Sequence, residues 1–183
     1  KYNENDNVLT YIQNKYNKNC KKNKDIFGTI IARHDRGGQR TLIYNELSKY
    51  GIIKAPGTYK KNTQSIGNTH NDKINYISRG TYNICPENSV YEGYFTEKIF
   101  QAFEGGTIPL YWAIDFPEPE IINKNKYCFC DINNKEALEK SIHNVSNNPN
   151  QYIEGELFKK NAGEKIQLFY STLSENILLF LNT

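Results

Sequence analysis

The sequence lacks any apolar run long enough to cross a membrane, which takes about 20 residues. The apolar segment at residues 177–181 is much shorter, and we expect it to form the buried face of a last helix. An apolar signal segment is also missing and the chain begins with Lys1, so we expect a processed chain or a piece of a longer one. These absences predict a cytoplasmic location, with membrane contact of the full protein limited to a peripheral one.

Concentrated positive charge and metal-binding cysteine patterns are missing too. Lys and Arg number 23 against 20 Asp and Glu, which gives a formal net charge of +3. This balance does not provide the basic stripe of nucleic-acid-binding proteins, so we expect no nucleic-acid partner. The four cysteines include no Cys-x-x-Cys pair, and Cys128 and Cys130 alternate along a predicted strand. We therefore interpret them as small apolar core residues, not as zinc ligands.

The usual phosphate-binding and metal-binding motifs are absent as well. The chain has no Walker-type phosphate loop, no Gly-x-Gly-x-x-Gly fingerprint and no Asp-x-Asp pair, and Asp35, Asp115 and Asp131 stand apart. A bound diphosphate would therefore have to be neutralised by Arg and Lys instead of a divalent cation. This pattern favours a metal-independent glycosyltransferase over a kinase or nucleotidase, and we expect no cofactor.

Strand and helix signals alternate regularly through most of the chain. Residues 1–24 are polar and predict a helix around residues 8–16, followed by a linker. From residue 25 onward, short apolar runs alternate with helical periodicity at the spacing of βαβ units. The predicted strands are residues 26–32, 52–53, 82–85, 107–112 and 127–132. We therefore predict an α/β domain over residues 25–183, with a parallel sheet and helices on both of its faces.

Two predicted loops at the carboxyl edge of this sheet each carry a cation. Residues 37–40 follow the first strand, and residues 94–98 lie at the start of a predicted helix over residues 97–103 that Thr96 is placed to cap. Arg40 and Lys98 then lie in first helical turns, where a cation opposes the helix dipole by up to about 1 kcal/mol. A bound diphosphate would reverse that penalty. Alternatively, either residue is an exposed cation that tolerates a small cost.

The two neighbours of Lys98 have two interpretations each. Glu97 either stabilises the helix start only, or accepts hydrogen bonds from ribose hydroxyls. Tyr94 is either a core aromatic residue or presents its hydroxyl to a phosphate or a sugar. Their positions in the sequence do not decide between these interpretations.

Three consecutive segments resemble the signature of glycosyltransferase family 10, the α-1,3/1,4-fucosyltransferases. They are residues 82–89 (YNICPENS), 93–103 (GYFTEKIFQAF) and 106–112 (GTIPLYW). The family pattern reads approximately F-x-x-x-x-E-N-S/T, then Y-x-T-E-K, then G/T-x-I/V-P-x-Y/V. Residues 31–47, which include Arg40, resemble the family's R-x-x-x-x-x-x-L helix start. The resemblance extends from about residue 27 to residue 181.

This resemblance implies the Rossmann-like C-terminal half of a GT-B enzyme, inverting and metal-independent, that transfers fucose from GDP-fucose to a glycan hydroxyl. The acceptor would be an oligosaccharide or a lipopolysaccharide O-chain. Carried over by position, Arg40 and Lys98 would contact the diphosphate and stabilise the leaving group. Glu97 would bind the ribose, Tyr94 would lie near the phosphates or fucose, and Asn88 would lie near the donor.

The resemblance also implies a missing part. In the family, an N-terminal acceptor-binding domain supplies the general base that deprotonates the acceptor. Only residues 1–24 precede the predicted domain here, so we expect this chain to bind the donor and to transfer little or nothing by itself.

Two other functions stay open. The short N-terminal segment also fits a non-catalytic nucleotide-binding remnant or module. Pro86 stands where the family commonly has Phe, and Ala113 where Gly often ends the strand. These two departures also fit a related transferase that uses another nucleotide sugar.

Overall fold

The sheet of this protein is entirely parallel. The structure, a computed structural model, describes residues 4–89, 91–115 and 119–181. Five strands form one sheet in the order β2-β1-β3-β4-β5, and all four pairings are parallel. The strands are β1 (Ile26–Ile30), β2 (Ile53–Lys54), β3 (Gly80–Ile84), β4 (Ile108–Tyr111) and β5 (Cys128–Phe129). The predicted parallel α/β architecture is therefore confirmed.

Helices cover both faces of this sheet because its central strands are apolar on both sides. The helices are α1 (Glu4–Asn19), α2 (Gln39–Leu47), α3 (His70–Ile77), α4 (Lys98–Glu104), α5 (Lys135–Asn147), α6 (Asn150–Ile153) and α7 (Ala162–Leu181), with a 3-10 turn at Lys124–Lys126. Leu110 of β4 packs in a cluster with α2 and α5. The next residue, Tyr111, points to the opposite face and packs in a cluster with α1 and α4.

The polar residues 1–24 contain α1, which packs across α4. Tyr16 is buried and its hydroxyl donates to the carbonyl of Ile153 at 2.8 Å. The Asn19 amide donates to the carbonyl of Glu104 at 2.6 Å. Lys24 follows α1 and donates to the carbonyls of Asn19, Ser78 and Gly106 at 2.8 to 3.0 Å. The segment ahead of β1 is thus attached to the sheet domain by buried polar contacts.

The expectation that residues 177–181 form a buried face is wrong. Their side chains are 50 to 79% exposed, and the buried residues of α7 are Ala162 and Gly163, in its first turn. After that turn the residues of α7 are half-buried at 165–166 and exposed from residue 167 to residue 181. Within residues 4–89, 91–115 and 119–181, no helix is long and apolar enough to cross a membrane.

Cys128 and Cys130 are both buried in the core cluster beside α5, as expected of small apolar residues. All four cysteines are free thiols.

Replacement of Gly106 by Ala tests how tightly α1 is seated. Gly106 has φ of +66°, and a Cβ there would lie 2.3 Å from the backbone nitrogen of Cys20 and 2.4 Å from the carbonyl carbon of Asn19. Gly106→Ala should therefore lower the free energy of unfolding by about 3 kcal/mol or more, from positive-φ strain plus the clash. Gly93→Ala is the control, since Gly93 has φ of +67° with nothing within 4 Å, and it should cost about 1 kcal/mol. Equal losses in urea unfolding would contradict the clash.

Candidate functional site

The candidate site lies where the loops after β1 and β3 meet. These strands are neighbours in the sheet, so their carboxyl ends open at the same edge. The loop after β1 leads to Arg40 in the first turn of α2, and the loop after β3 leads to Lys98 at the start of α4. The structure thus brings the two predicted cations to adjacent loops.

Arg40 joins these two loops. It is only 7% exposed, although it is a cation. One guanidinium nitrogen donates to the carbonyl of His34 at 3.1 Å, and the other donates to the side-chain oxygen of Asn88 in the loop after β3. Asn88 therefore orients Arg40 across the gap between the loops, a contact that the sequence does not indicate.

A carboxylate already occupies the start of α2. Asp35 accepts hydrogen bonds from the backbone N–H groups of Arg40 at 3.1 Å and Thr41 at 2.7 Å, and its carboxylate lies 3.9 Å from the Arg40 guanidinium. Burial acts to raise the pKa of Asp35, but the hydrogen bonds from Thr41 and Arg40 outweigh burial and hold the pKa below its ordinary value. Asp35 is thus an internal counter-ion for the dipole of α2 and for Arg40. This role was not predicted from the sequence.

Glu87 is the second internal counter-ion and the most buried acid of the site. It is 0% exposed. Its carboxylate accepts from the backbone N–H of Thr96 at 2.9 Å, the Tyr111 hydroxyl at 2.9 Å and the Lys98 ammonium at 2.8 Å. The Glu87 side chain therefore connects the loop after β3, the start of α4 and the end of β4. Burial, followed by the adjacent Glu87 charge, raises the pKa of the Tyr111 hydroxyl.

The predicted capping role of Thr96 is wrong. The N-cap position of α4 is occupied by Glu97, without a side-chain capping bond. The Thr96 hydroxyl instead lies 2.8 Å from both a Glu87 carboxylate oxygen and the Lys98 ammonium. The buried carboxylate draws Thr96 inward, because an ionised acceptor forms a stronger hydrogen bond than a backbone N–H would with a hydroxyl.

Arg40 and Lys98 line the same cavity. This cavity measures about 40 Å³ and is also lined by Lys73, Asn83, Cys85, Pro86 and Gln101, among others. A second cavity of about 580 Å³ opens beside it, between residues 56–58 and 65–70 and the start of α3. Three residues line both cavities, namely Ile31, Lys73 and Gln101. The smaller cavity is a positively charged recess at the edge of a ligand-sized cleft.

The structure places the remaining predicted residues around this recess. Asn88 is held against Arg40, while Glu97 is exposed at the start of α4, where its charge acts on Lys73. Tyr94 is partly buried, and its backbone N–H donates to the carbonyl of Tyr91 at 3.1 Å. Glu97 and Tyr94 do not line the two cavities, so their roles toward a ligand stay predictions.

Metal-ligating side chains do not gather at this site. In the described parts of the chain, no three His, Cys, Asp or Glu residues are placed to hold a metal ion together. The positive charge of the recess is carried by Arg40, Lys73 and Lys98.

Comparison with known proteins finds a family profile and relatives that share the sequence of this chain. Residues 20–172 match the profile of glycosyltransferase family 10 (fucosyltransferase), C-terminal domain. The alpha-(1,3)-fucosyltransferase FucT of Helicobacter pylori is 26% identical over 171 residues, which cover 84% of this chain and 34% of that protein. The 4-galactosyl-N-acetylglucosaminide 3-alpha-L-fucosyltransferase 9 of Mus musculus is 29% identical over 133 residues, 68% of this chain and 34% of that protein. The chain thus spans about a third of these relatives' length.

Solved structures share the fold. The crystal structure of an alpha1,3-fucosyltransferase with GDP-fucose superposes with a TM-score of 0.61 and 22% identity, over 91% of this chain and 52% of that chain. A crystal structure of alpha1,3-fucosyltransferase with GDP gives the same TM-score of 0.61 over 92% of this chain and 53% of that chain.

Substitution of Glu87 measures how far the site depends on its buried carboxylate. Glu87→Leu should lower the free energy of unfolding by about 3 to 5 kcal/mol, because Lys98 and the Tyr111 hydroxyl lose their partner. Glu46→Leu is the matched control, since Glu46 pairs with Lys49 at 2.6 Å on the surface of α2, and it should cost less than about 1 kcal/mol. Similar losses for the two variants in urea unfolding would show that Glu87 does not organise the site.

Proposed function

The chain belongs to glycosyltransferase family 10, the fucosyltransferases, and we propose that it binds GDP-fucose for the transfer of fucose to a glycan hydroxyl. The observation that carries this proposal is the shared recess of Arg40 and Lys98 at the carboxyl edge of the sheet. The fold likeness to transferases crystallised with GDP and GDP-fucose supports it.

Both cations keep hydrogen-bond donors for a ligand. Lys98 has three N–H donors, and Glu87 and Thr96 engage its ammonium. Arg40 has five N–H donors, and among the described residues its guanidinium donates hydrogen bonds to His34 and Asn88 only. Donors that are fixed before the ligand arrives stabilise charge developing on a leaving diphosphate without reorganisation. Arg40 and Lys98 would therefore stabilise departing GDP, with Glu97 on the ribose, Tyr94 near the phosphates or fucose, and Asn88 near the donor.

We propose a single displacement that inverts the anomeric carbon and needs no metal. The acceptor oxygen forms a bond to that carbon while the bond to the GDP oxygen breaks, through an oxocarbenium-like transition state. The acceptor proton goes to a carboxylate acting as general base. Asp35 and Glu87 are engaged by internal cations and helix N–H groups, which supports a base outside this chain. The cations that line the recess, Arg40, Lys73 and Lys98, would contact the diphosphate in place of a divalent ion.

The acceptor and the location follow from the same proposal. We propose an oligosaccharide or a lipopolysaccharide O-chain as acceptor, bound mainly by the part of the relatives' length that this chain does not span. A cytoplasmic protein, peripheral to a membrane where the acceptor is lipid-linked, would fit that acceptor.

Nucleotide titration tests donor binding. In calorimetry with EDTA present, GDP should bind clearly better than UDP or CMP. Arg40→Ala and Lys98→Ala should each weaken GDP binding by about tenfold or more, because each removes a charge-assisted bond to phosphate.

Arg79→Ala is the control, since Arg79 pairs with Asp25 in an exposed ion pair of the loop before β1. It should leave GDP affinity within about twofold of the parent. Indifference to the three nucleotides, or binding that needs added Mg²⁺, would refute the proposal.

A different donor sugar is the second candidate. Pro86, one of the departures from the family pattern, lines the recess beside Arg40 and Lys98, and Ala113 is buried. Pro86 can therefore alter the space next to the diphosphate, whereas Ala113 lines neither cavity. Competition of GDP-fucose, GDP-mannose and GDP for the site separates the candidates, since GDP-mannose binding tighter than GDP-fucose would favour the second.

A further inference from the structure

The two cavities of the site meet at three side chains. Ile31, Lys73 and Gln101 line both the 40 Å³ recess and the 580 Å³ cleft, and we call these three side chains the junction. The recess is too small for a diphosphate, whereas the cleft falls in the size range of small-ligand pockets. A nucleotide with its nucleoside in the cleft and its phosphates toward Arg40 and Lys98 must therefore pass directly over this junction.

Lys73 is the unpaired cation of the junction. Arg40 has the carboxylate of Asp35 at 3.9 Å, and Lys98 has that of Glu87 at 2.8 Å. Across the described residues, no hydrogen bond or ion pair reaches the Lys73 ammonium, although its side chain is partly buried in α3. Burial lowers the pKa of Lys73, the charge of Glu97 opposes that shift and the charge of Lys98 adds to it. A partly desolvated cation without a partner is costly until an anion joins it.

The ionised groups around the recess differ in whether a neighbouring charge of opposite sign balances them. Arg40 and Lys98 are balanced by Asp35 and Glu87, so these four groups have no net charge. Lys73 adds the positive charge that is not cancelled within an ion pair. An incoming phosphate therefore meets at Lys73 a cation that no carboxylate contacts and whose charge Glu97 offsets only through space.

Gln101 adds a second, independent signal at the same place. Its side-chain oxygen is buried and has no hydrogen-bond partner among the described residues. A buried acceptor without a donor is unfavourable, because it has lost its hydrogen bonds to water and gained none in return. A ligand hydroxyl or N–H group placed over the junction would satisfy it. A ligand that satisfies both Lys73 and Gln101 is an anion that also donates a hydrogen bond, as a nucleoside diphosphate does.

We propose that Lys73 is a third phosphate-binding residue of the donor site, and that Gln101 beside it accepts a hydrogen bond from the nucleoside part of the same ligand. This inference rests on the proposed function, because the nucleoside diphosphate is the GDP of the donor. It adds Lys73 to the pair of cations that the sequence identifies, at the point where recess and cleft join.

The test compares GDP with guanosine, which lacks phosphate. In Lys73→Gln, GDP affinity measured by calorimetry should fall about tenfold or more, whereas guanosine affinity measured by ligand-observed NMR titration should stay within twofold. Lys73→Arg keeps the charge and should remain within about threefold of the parent for GDP. Lys135→Gln is the matched control, because Lys135 is an exposed lysine of α5 that lines neither cavity. It should change GDP affinity by less than twofold.

The possible results separate this inference from the proposed function. If the parent chain does not prefer GDP, the proposed function fails. If it prefers GDP but Lys73→Gln binds GDP unchanged, the inference alone fails. Equal losses for GDP and guanosine would also overturn it, since they would show that Lys73 only supports the shape of the cleft.

A measurement on the unaltered chain covers the case in which Lys73→Gln does not fold. Lysine acetylation by a small activated ester, read by mass spectrometry, should modify Lys73 at least fivefold more slowly with saturating GDP than without it. Guanosine should give no such protection, and Lys135 on the exposed side of α5 should react equally in all samples. Unchanged modification of Lys73 in the presence of GDP would overturn the inference.

Discussion

The buried carboxylate of Glu87 is the contact on which the geometry of the site depends. It lies in the loop after β3 and binds the start of α4, the Tyr111 hydroxyl at the end of β4 and the Lys98 ammonium. Taking such a charge out of water costs several kcal/mol, which only multiple well-placed hydrogen bonds offset. The chain around Glu87 is therefore restricted to conformations that keep all of these donors in place, and Lys98 is directed toward the recess as a result.

Asp35 plays the same part for the neighbouring loop. It accepts from the first N–H groups of α2 and lies beside the Arg40 guanidinium, while Asn88 connects Arg40 back to the loop after β3. The site thus consists of two cation and carboxylate pairs, one on each loop, joined by an amide. Such a pre-organised arrangement favours binding because the side chains lose little further freedom when a ligand arrives. It also leaves the paired cations nearly neutralised, which is why an unpaired lysine at the junction matters for an anionic ligand.

The chain contains two regions whose surroundings differ from what their composition indicates. The polar residues of α1 are attached to α4 by the buried Tyr16 and Asn19, whereas the apolar end of α7 is exposed. Composition reports the average environment of a segment, but burial depends on whether another element lies across it. For α1 that element is α4, whereas α7 buries only Ala162 and Gly163 of its first turn.

The sequence by itself determined the order of strands and helices, the parallel sheet and the two cations at its edge. These features follow from local apolar periodicity and from the rule that parallel strands open their carboxyl ends together. The family signature at residues 82–112 was also readable from the sequence alone. Only the tertiary structure decided that Asp35 and Glu87 are the counter-ions, that Thr96 turns inward, and that Lys73 lies where the cavities join. Arg40 and Asn88 are 48 positions apart, and contacts over such separations depend on the path of each loop between strands, which local periodicity does not encode.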